Sequence, residues 1–358
     1  MNLIVPMAGK SSRFPNLRPK WMLTHPSGRF MALEAIAGLN LEDFKTIYFV
    51  CLLEHEEKFQ FLRGFKEELE DMGILDKVEF VMLDEATKDQ PETVYNAIKQ
   101  ANITGPIVIK DSDNYFKAEL KPGNFVCYSD LNESGLIKPK NKSYIISDTN
   151  GNISNIVEKQ VISPYFCVGA YGFESAEVFT QVLDSLDLNT ERYISNVIFQ
   201  MILDGKLFFG EGVANYVDWG TIEDWDRFKR SYATLFVDID GTLVKNSSAH
   251  FPPYIGNTPA LKSNVEILQT LYATGKFQIV LTTARPEKYR KITETQMEKE
   301  GISFDHMIMG LYHGKRIIIN DYGKSNPFKS CDSINLKRDT EELKEILRES
   351  LGIDYEQI

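Results

Sequence analysis

Leu235-Phe236-Val237-Asp238-Ile239-Asp240-Gly241-Thr242 joins an apolar run to two carboxylates and a glycine. The apolar residues read as a strand, and Gly241 lets the chain turn sharply after it. Both acids then sit at the carboxyl edge of a sheet, where open α/β folds bind ligands. A carboxylate in that position can ligate Mg²⁺ or attack phosphorus. The competing reading is a plain acidic turn, and the full Asp-x-Asp-Gly-Thr pattern argues against it.

A βα series runs on from this point: strand 235–239, helix 259–274, strand 278–282, helix 287–300, strands 306–309 and 316–319, and helix 339–350. Strand 278–282 leads into Thr282-Thr283-Ala284-Arg285, which offers hydroxyls and a guanidinium. Lys315 precedes strand 316–319, and Asn320-Asp321 follow it. Each group lies at a strand end, so all are expected to converge on one sheet edge. The set resembles the haloacid-dehalogenase phosphatase superfamily over about residues 233–350. The resemblance implies a Rossmann-like domain in which Asp238 is a nucleophile forming an aspartyl-phosphate. Asp240 would protonate the leaving alcohol and then activate water. Thr283 (or Thr282) and Lys315 would hold phosphoryl oxygens, and Asp321 would join Asp238 and the backbone carbonyl of Asp240 in a Mg²⁺ site. Single helices and loops fill the chain between Gly241 and Thr283 and between Thr283 and Lys315, so no large cap is expected.

The longer part of the chain precedes this stretch. Strands are expected over 2–6, 46–52, 77–83, 106–110, 124–128 and 165–172, and helices over 31–38, 56–72, 93–101, 175–185 and 194–204. Such alternation predicts a helix-covered, mostly parallel sheet. Residues 144–157 read instead as a hairpin turning at Asn150-Gly151.

Strand 2–6 leads into Met7-Ala8-Gly9-Lys10-Ser11-Ser12-Arg13. Small residues after a strand let backbone N–H groups approach a phosphate chain, and Arg13 and Lys20 supply positive charge. Gln90, Glu92 and Thr93 open a helix whose first N–H groups and side chains can read a base. Strand 106–110 ends in Asp111-Ser112-Asp113, and Asp218-Trp219-Gly220-Thr221 follows a later strand-like stretch. Two acids from distant strand ends suit a Mg²⁺ that holds a triphosphate. For each acid alone, a turn or helix-cap role is the plainer reading.

Together these residues resemble the sugar-nucleotide pyrophosphorylases over about residues 1–230. The family's loop and cations match Gly9 to Arg13 and Pro19-Lys20. Its metal acids match Asp113 (or Asp111) and Asp218, and its Glu-Lys pair before a Gly-x-Tyr-x-Phe strand matches Glu158-Lys159 and Gly169 to Phe173. Lys10 and Trp21 depart from its usual residues. The resemblance implies a glycosyltransferase-A-like nucleotidyltransferase fold with a mixed, mostly parallel sheet. It also implies Mg²⁺-assisted nucleotidyl transfer to a sugar or polyol phosphate with release of pyrophosphate. It inclines to CTP or another pyrimidine nucleotide, with Lys159 steering the incoming phosphate.

With 43% apolar and 25% charged residues the chain reads as a soluble globular protein, and its 358 residues suffice for two domains, placed at 1–232 and 233–358. The net charge of −11 argues against nucleic-acid and anionic-membrane partners, and no run is long enough to span a bilayer. The first residues lack the basic region of a signal peptide, so a cytoplasmic location is expected. Cys51, Cys127, Cys167 and Cys331 lack metal-ligand spacing and read as free thiols. The expectation is a bifunctional nucleotidyltransferase–phosphatase, placed by analogy with fused proteins in surface (capsule) polysaccharide precursor synthesis. A homo-oligomer is left open. The alternatives are one catalytic domain served by a regulatory one, or a nucleotide-binding scaffold.

Overall fold

The computed structural model describes residues 1–9, 14, 17–133, 138–186, 192–321 and 330–351. Ser11, Ser12 and Arg13 therefore lie outside the described residues. The chain divides into two compact units, Met1–Trp225 and Asp226–Ile358.

In the first unit the strands are β1 (Asn2–Pro6), β2 (Thr46–Leu52), β3 (Val78–Leu83), β4 (Ile107–Lys110), β5 (Asn114–Lys117), β6 (Phe125–Asp130), β7 (Ser143–Ser147), β8 (Ile153–Glu158), β9 (Tyr165–Phe173), β10 (Phe209–Gly212) and β11 (Ala214–Asp218). Nine of them form one sheet, in the order β10-β6-β9-β4-β1-β2-β3, with β7 and β8 branching from β9. Strands β4, β1, β2 and β3 are parallel, whereas β9 runs antiparallel to β4 and β6.

The core follows from the two-residue period of these strands. Ile4, Tyr48, Val50, Ile107 and Ile109 face one layer, with Val94, Phe179 and Val197 from covering helices. Leu3, Val5, Ile47, Phe49 and Val108 face the other, with Leu33, Phe65 and Leu69. Leu3, Ile4 and Val5 are all fully buried, as expected where helices cover both faces of a parallel sheet. The expected helix over 56–72 is two helices, Leu53–Phe59 and Leu62–Asp71. Gln60 between them takes φ +50°, and that left-handed residue ends the first helix.

β5 and β11 stand apart as a two-stranded antiparallel ladder. Neither strand is legible as an apolar run, and each is defined by the other.

The second unit contains β12 (Ala233–Asp238), β13 (Phe277–Thr282) and β14 (His306–Ile308), all parallel, with helices Lys262–Ala273, Arg290–Lys299 and Leu343–Leu351. Ile239, Leu243, Leu268, Ile279, Leu281 and Met297 form its core. The strand expected over 316–319 is absent. Its isoleucines are exposed, Ile319 at 92%. Apolar β-branched composition suggested a strand there, but a strand also needs a neighbour to take its backbone groups. Among the described residues β12 pairs only with β13, and no strand lies on its other edge.

Cys51, Cys127 and Cys167 are buried free thiols, while Cys331 is partly exposed. Among the described residues no helix is long and apolar enough to cross a membrane.

Candidate active site

β1 and β4 are parallel neighbours in the register Ile4↔Ile109, so Ala8-Gly9 and Lys110-Asp111 leave the sheet at the same edge. Ala8 is buried, and a Cβ built on Gly9 meets no described atom within 4 Å. The helix Gln90–Ala101 starts after β3 at that edge. The Gln90 amide nitrogen donates to the Asp111 carboxylate. Burial raises the Asp111 carboxyl above the usual aspartate range, and Asp113 adds to the rise, while Lys110 opposes both.

Glu92 and Thr93 are spent on the helix start. The N–H of Glu92 donates to Asp89 Oδ1 at 2.8 Å and Glu92 Oε2 accepts the N–H of Lys88 at 2.6 Å. Thr93 Oγ1 lies 2.6 Å from Thr87 Oγ1. Asp89 also holds Arg192 in a buried ion pair of 3.1 Å.

Gly169 takes φ +77° and donates nothing in side-chain bulk for a clear reason. A Cβ there would lie 2.3 Å from Asp111 Oδ2. Its carbonyl accepts the N–H of Asp111 at 2.7 Å.

Asp113 forms an ion pair with Lys20 and is 7% exposed. The next residue, Asn114, pairs with Asp218 in the β5–β11 ladder. Asp218 Oδ1 accepts the N–H of Gly220 at 3.0 Å, and its Oδ2 lies 2.7 Å from Lys142 Nζ. Lys142 also donates to the Tyr216 hydroxyl at 2.8 Å. Burial alone would lower the Lys142 ammonium, but Tyr216 and Asp218 outweigh it and raise it above the lysine range.

Lys110 is fully buried behind these acids. Its ammonium donates to Asp111 O (2.8 Å), Asn114 O (3.0 Å) and Asn114 Oδ1 (2.7 Å), closing the turn 111–114. Burial pushes it down to about 8 against the pull of Asp111 and Asp113.

Glu158 Oε2 accepts from Ser143 and, at 2.9 Å, from Ser195. Lys159 takes φ +55° and its ammonium lies 2.5 Å from the Tyr193 hydroxyl. Its backbone N–H donates to the Lys142 carbonyl at 3.0 Å, which ties the Glu158-Lys159 pair to the Asp218 side.

Of the sequence-derived residues, the structure thus gathers Lys20, Asp113 and Asp218, and sets Gln90, Asp111 and Gly169 together beside them. Lys110 and Lys142 were not anticipated; a lysine has no sequence signal until its carboxylate partner is located. Mg²⁺ takes one or two carboxylates and completes its shell with water and phosphate oxygens. Adjacent Asp113 and Asp218 fit that demand.

In the second unit Asp238 pairs with Thr282 in the β12–β13 register. Burial raises the Asp238 carboxyl, and Arg316 opposes the rise from 2.8 Å. The cation on Asp238 is Arg316, while Lys315, expected to hold phosphoryl oxygens, is exposed. Asp240 is held by Arg285 through two bonds of 2.8 Å, by Ser247 Oγ at 2.5 Å and by Thr283 Oγ1 at 3.5 Å. Arg285 is buried and also reaches Thr293 (3.2 Å) and Gln296 (2.9 Å). Asp321 is exposed. Among the described residues no three His, Cys, Asp or Glu side chains gather as a metal cage, and Asp321 does not join Asp238 and Asp240 in one. The missing strand 316–319 is the reason, since it was to deliver Lys315 and Asp321.

No family model and no curated protein matches the chain. Solved structures do. A nucleoside-diphosphate-sugar pyrophosphorylase from Vibrio cholerae RC9 is similar at 17% identity and a TM-score of 0.51, over 63% of this chain and 98% of that one. An inositol-1-phosphate CTP transferase from T. maritima is similar at 14% identity and a TM-score of 0.50, over 62% and 90%. A UDP-glucose pyrophosphorylase complexed with UDP-glucose is similar at 15% and 0.50, over 63% and 96%. Over that share the chain has the mixed, mostly parallel α/β fold of these nucleotidyltransferases.

Proposed function

We propose that Met1–Trp225 transfers a nucleotidyl group from a nucleoside triphosphate to a sugar or polyol phosphate and releases pyrophosphate. The observation that carries this reading is the juxtaposition of Asp113 and Asp218, each paired with a lysine, at the edge where the Ala8-Gly9 turn leaves the sheet. Such transfer needs mainly positioning and charge stabilisation. The acceptor phosphate oxygen attacks the α-phosphorus, and the bond to the pyrophosphate oxygen breaks. Lys20 and Lys142 stabilise charge developing on the phosphates, Lys159 orients the acceptor, and Gln90 meets the base. Asp113 and Asp218 would hold a Mg²⁺ ion, which when bound would add to the neutralisation of the triphosphate. CTP or another pyrimidine nucleotide is the favoured donor; an inositol-1-phosphate CTP transferase and a UDP-glucose pyrophosphorylase are among the similar structures. The test is a grid of nucleoside triphosphates against sugar and polyol phosphates, scored for pyrophosphate. Absence of pyrophosphate in every cell refutes the reading.

For Asp226–Ile358 the proposed activity is phosphate monoester hydrolysis. Asp238 would attack the phosphorus and release the alcohol, with Asp240 handling its proton, and water would then cleave the aspartyl-phosphate. The resemblance of the Asp238 to Thr242 run supports it, as does the pairing of Asp238 with Thr282. Exposed Lys315 and Asp321 favour a second reading, in which this unit is not catalytic and serves the first. Phosphate release that Asp238→Asn abolishes decides for hydrolysis. In the joint reading both steps serve activated precursors of a surface polysaccharide.

A further inference from the structure

We propose that Lys142 competes with a divalent cation for Asp218, so that metal enters this site together with the triphosphate rather than ahead of it. The inference rests on the nucleotidyltransferase reading of Met1–Trp225 and names a control within that same site.

Lys142 is placed for this by three independent contacts. Its ammonium lies 2.7 Å from Asp218 Oδ2 and donates to the Tyr216 hydroxyl at 2.8 Å. Its carbonyl accepts the N–H of Lys159 at 3.0 Å. The side chain is 18% exposed, so water screens the pair only in part. Lys142 thus occupies Asp218 Oδ2, while Oδ1 is taken by the N–H of Gly220, so a metal ion would have to displace the ammonium.

Charge balance explains the consequence. Among the described residues, Asp113 and Asp218 at this edge are each already paired with an ammonium group, Lys20 and Lys142. A dication alone would have to displace those ammonium groups from their carboxylates with no anion to receive them. A triphosphate supplies that anion. The ammonium displaced from Asp218 then faces phosphate oxygens, a better partner than water. Lys142 therefore weakens metal binding in the empty site and strengthens phosphate binding in the filled one. A lysine that merely held the fold would do neither, and its loss would weaken both.

The test uses the full-length protein and Mn²⁺ as the probe, with free Mn²⁺ followed by electron paramagnetic resonance and no nucleotide present. Lys142→Met is expected to bind Mn²⁺ about tenfold more tightly than wild type, the effect on a carboxylate of removing one cation at contact distance. Lys142→Arg, which keeps the charge, is expected to bind as wild type does. Lys142→Gln removes the charge and keeps a polar side chain; it substitutes for the methionine variant if that variant does not fold. Binding of CTP with Mg²⁺ is expected to weaken in the neutral variants by about tenfold. Unchanged or weaker Mn²⁺ binding in a neutral variant with a wild-type melting curve overturns the inference. If wild type makes no pyrophosphate from any nucleotide yet the Mn²⁺ shift appears, the transferase reading falls and the competition stands. Pyrophosphate production without the Mn²⁺ shift has the opposite meaning.

Discussion

The backbone N–H of Trp219 donates to the carbonyl oxygen of Asp113 at 2.9 Å. With the Asn114↔Asp218 pairing beside it, this bond sets two carboxylates from distant parts of the chain next to each other. Main-chain atoms do the holding, so replacing either side chain leaves the frame intact. Asp113→Asn and Asp218→Asn are expected to melt within a few degrees of wild type. Each is expected to lower pyrophosphate release by about 10²–10³-fold, on the scale of losing one group that stabilises developing charge. Near-normal release in either variant removes that residue from the site.

Gly169 is the tightest point behind the acids. Alanine there must adopt φ +77° and place its Cβ 2.3 Å from Asp111 Oδ2. The strained backbone alone costs about 1–3 kcal/mol. Gly169→Ala is therefore expected to lower the melting temperature and to displace the Asp111–Gln90 pair, reducing pyrophosphate release. Phosphate release, if present, serves as the internal control. A variant that melts and turns over like wild type contradicts this packing.

Arg285 is expected to matter for folding as much as for chemistry. It meets Asp240 with both a bidentate pair and two further buried partners, Thr293 and Gln296. Removing one member of a buried pair leaves the other uncompensated, at about 3–5 kcal/mol. Arg285→Met should destabilise Asp226–Ile358 by that order in urea, and a double variant with Asp240→Asn should recover part of the loss. Purely additive effects would show that the pair contributes no coupling.

Lys110 predicts a pH dependence of stability. Burial brings its folded value to about 8, below the ordinary value of about 10.4 for an unfolded lysine. Between these values the unfolded chain binds more protons, so the unfolding free energy rises with pH. The penalty for burying the charge is fully present below pH 8 and is relieved on the way to about pH 10, for a total of about 3 kcal/mol. Urea denaturation at intervals from pH 7.5 to 9.5 should show this rise in wild type and not in Lys110→Met. Parallel pH profiles refute it.

Much of the first unit is legible in the sequence because its strands are self-contained apolar runs. β1 and β2 match their expected bounds, and the Asn150-Gly151 turn does join β7 to β8. The ladder carrying Asp113 and Asp218 is not legible in this way. Asn114 to Lys117 is a short mixed stretch, and only β11, far along the chain, makes it a strand. Lys142 stayed hidden for the same reason. The run 316–319 erred in the other direction: strong local preference found no neighbour in the structure. Arg316 carries no sequence signal of its own, because the pattern places Lys315 at the start of a strand that does not form.

The separation of β5–β11 from the nine-stranded sheet bears on how such a protein can diversify. On the proposed reading, the acids that handle the phosphates ride on their own small ladder. Gln90 and the Glu158-Lys159 pair, which meet base and acceptor, belong to other elements. Replacements that retune donor or acceptor choice can then accumulate without disturbing the reacting centre. Descendants of this scaffold would inherit one chemistry and vary in clientele.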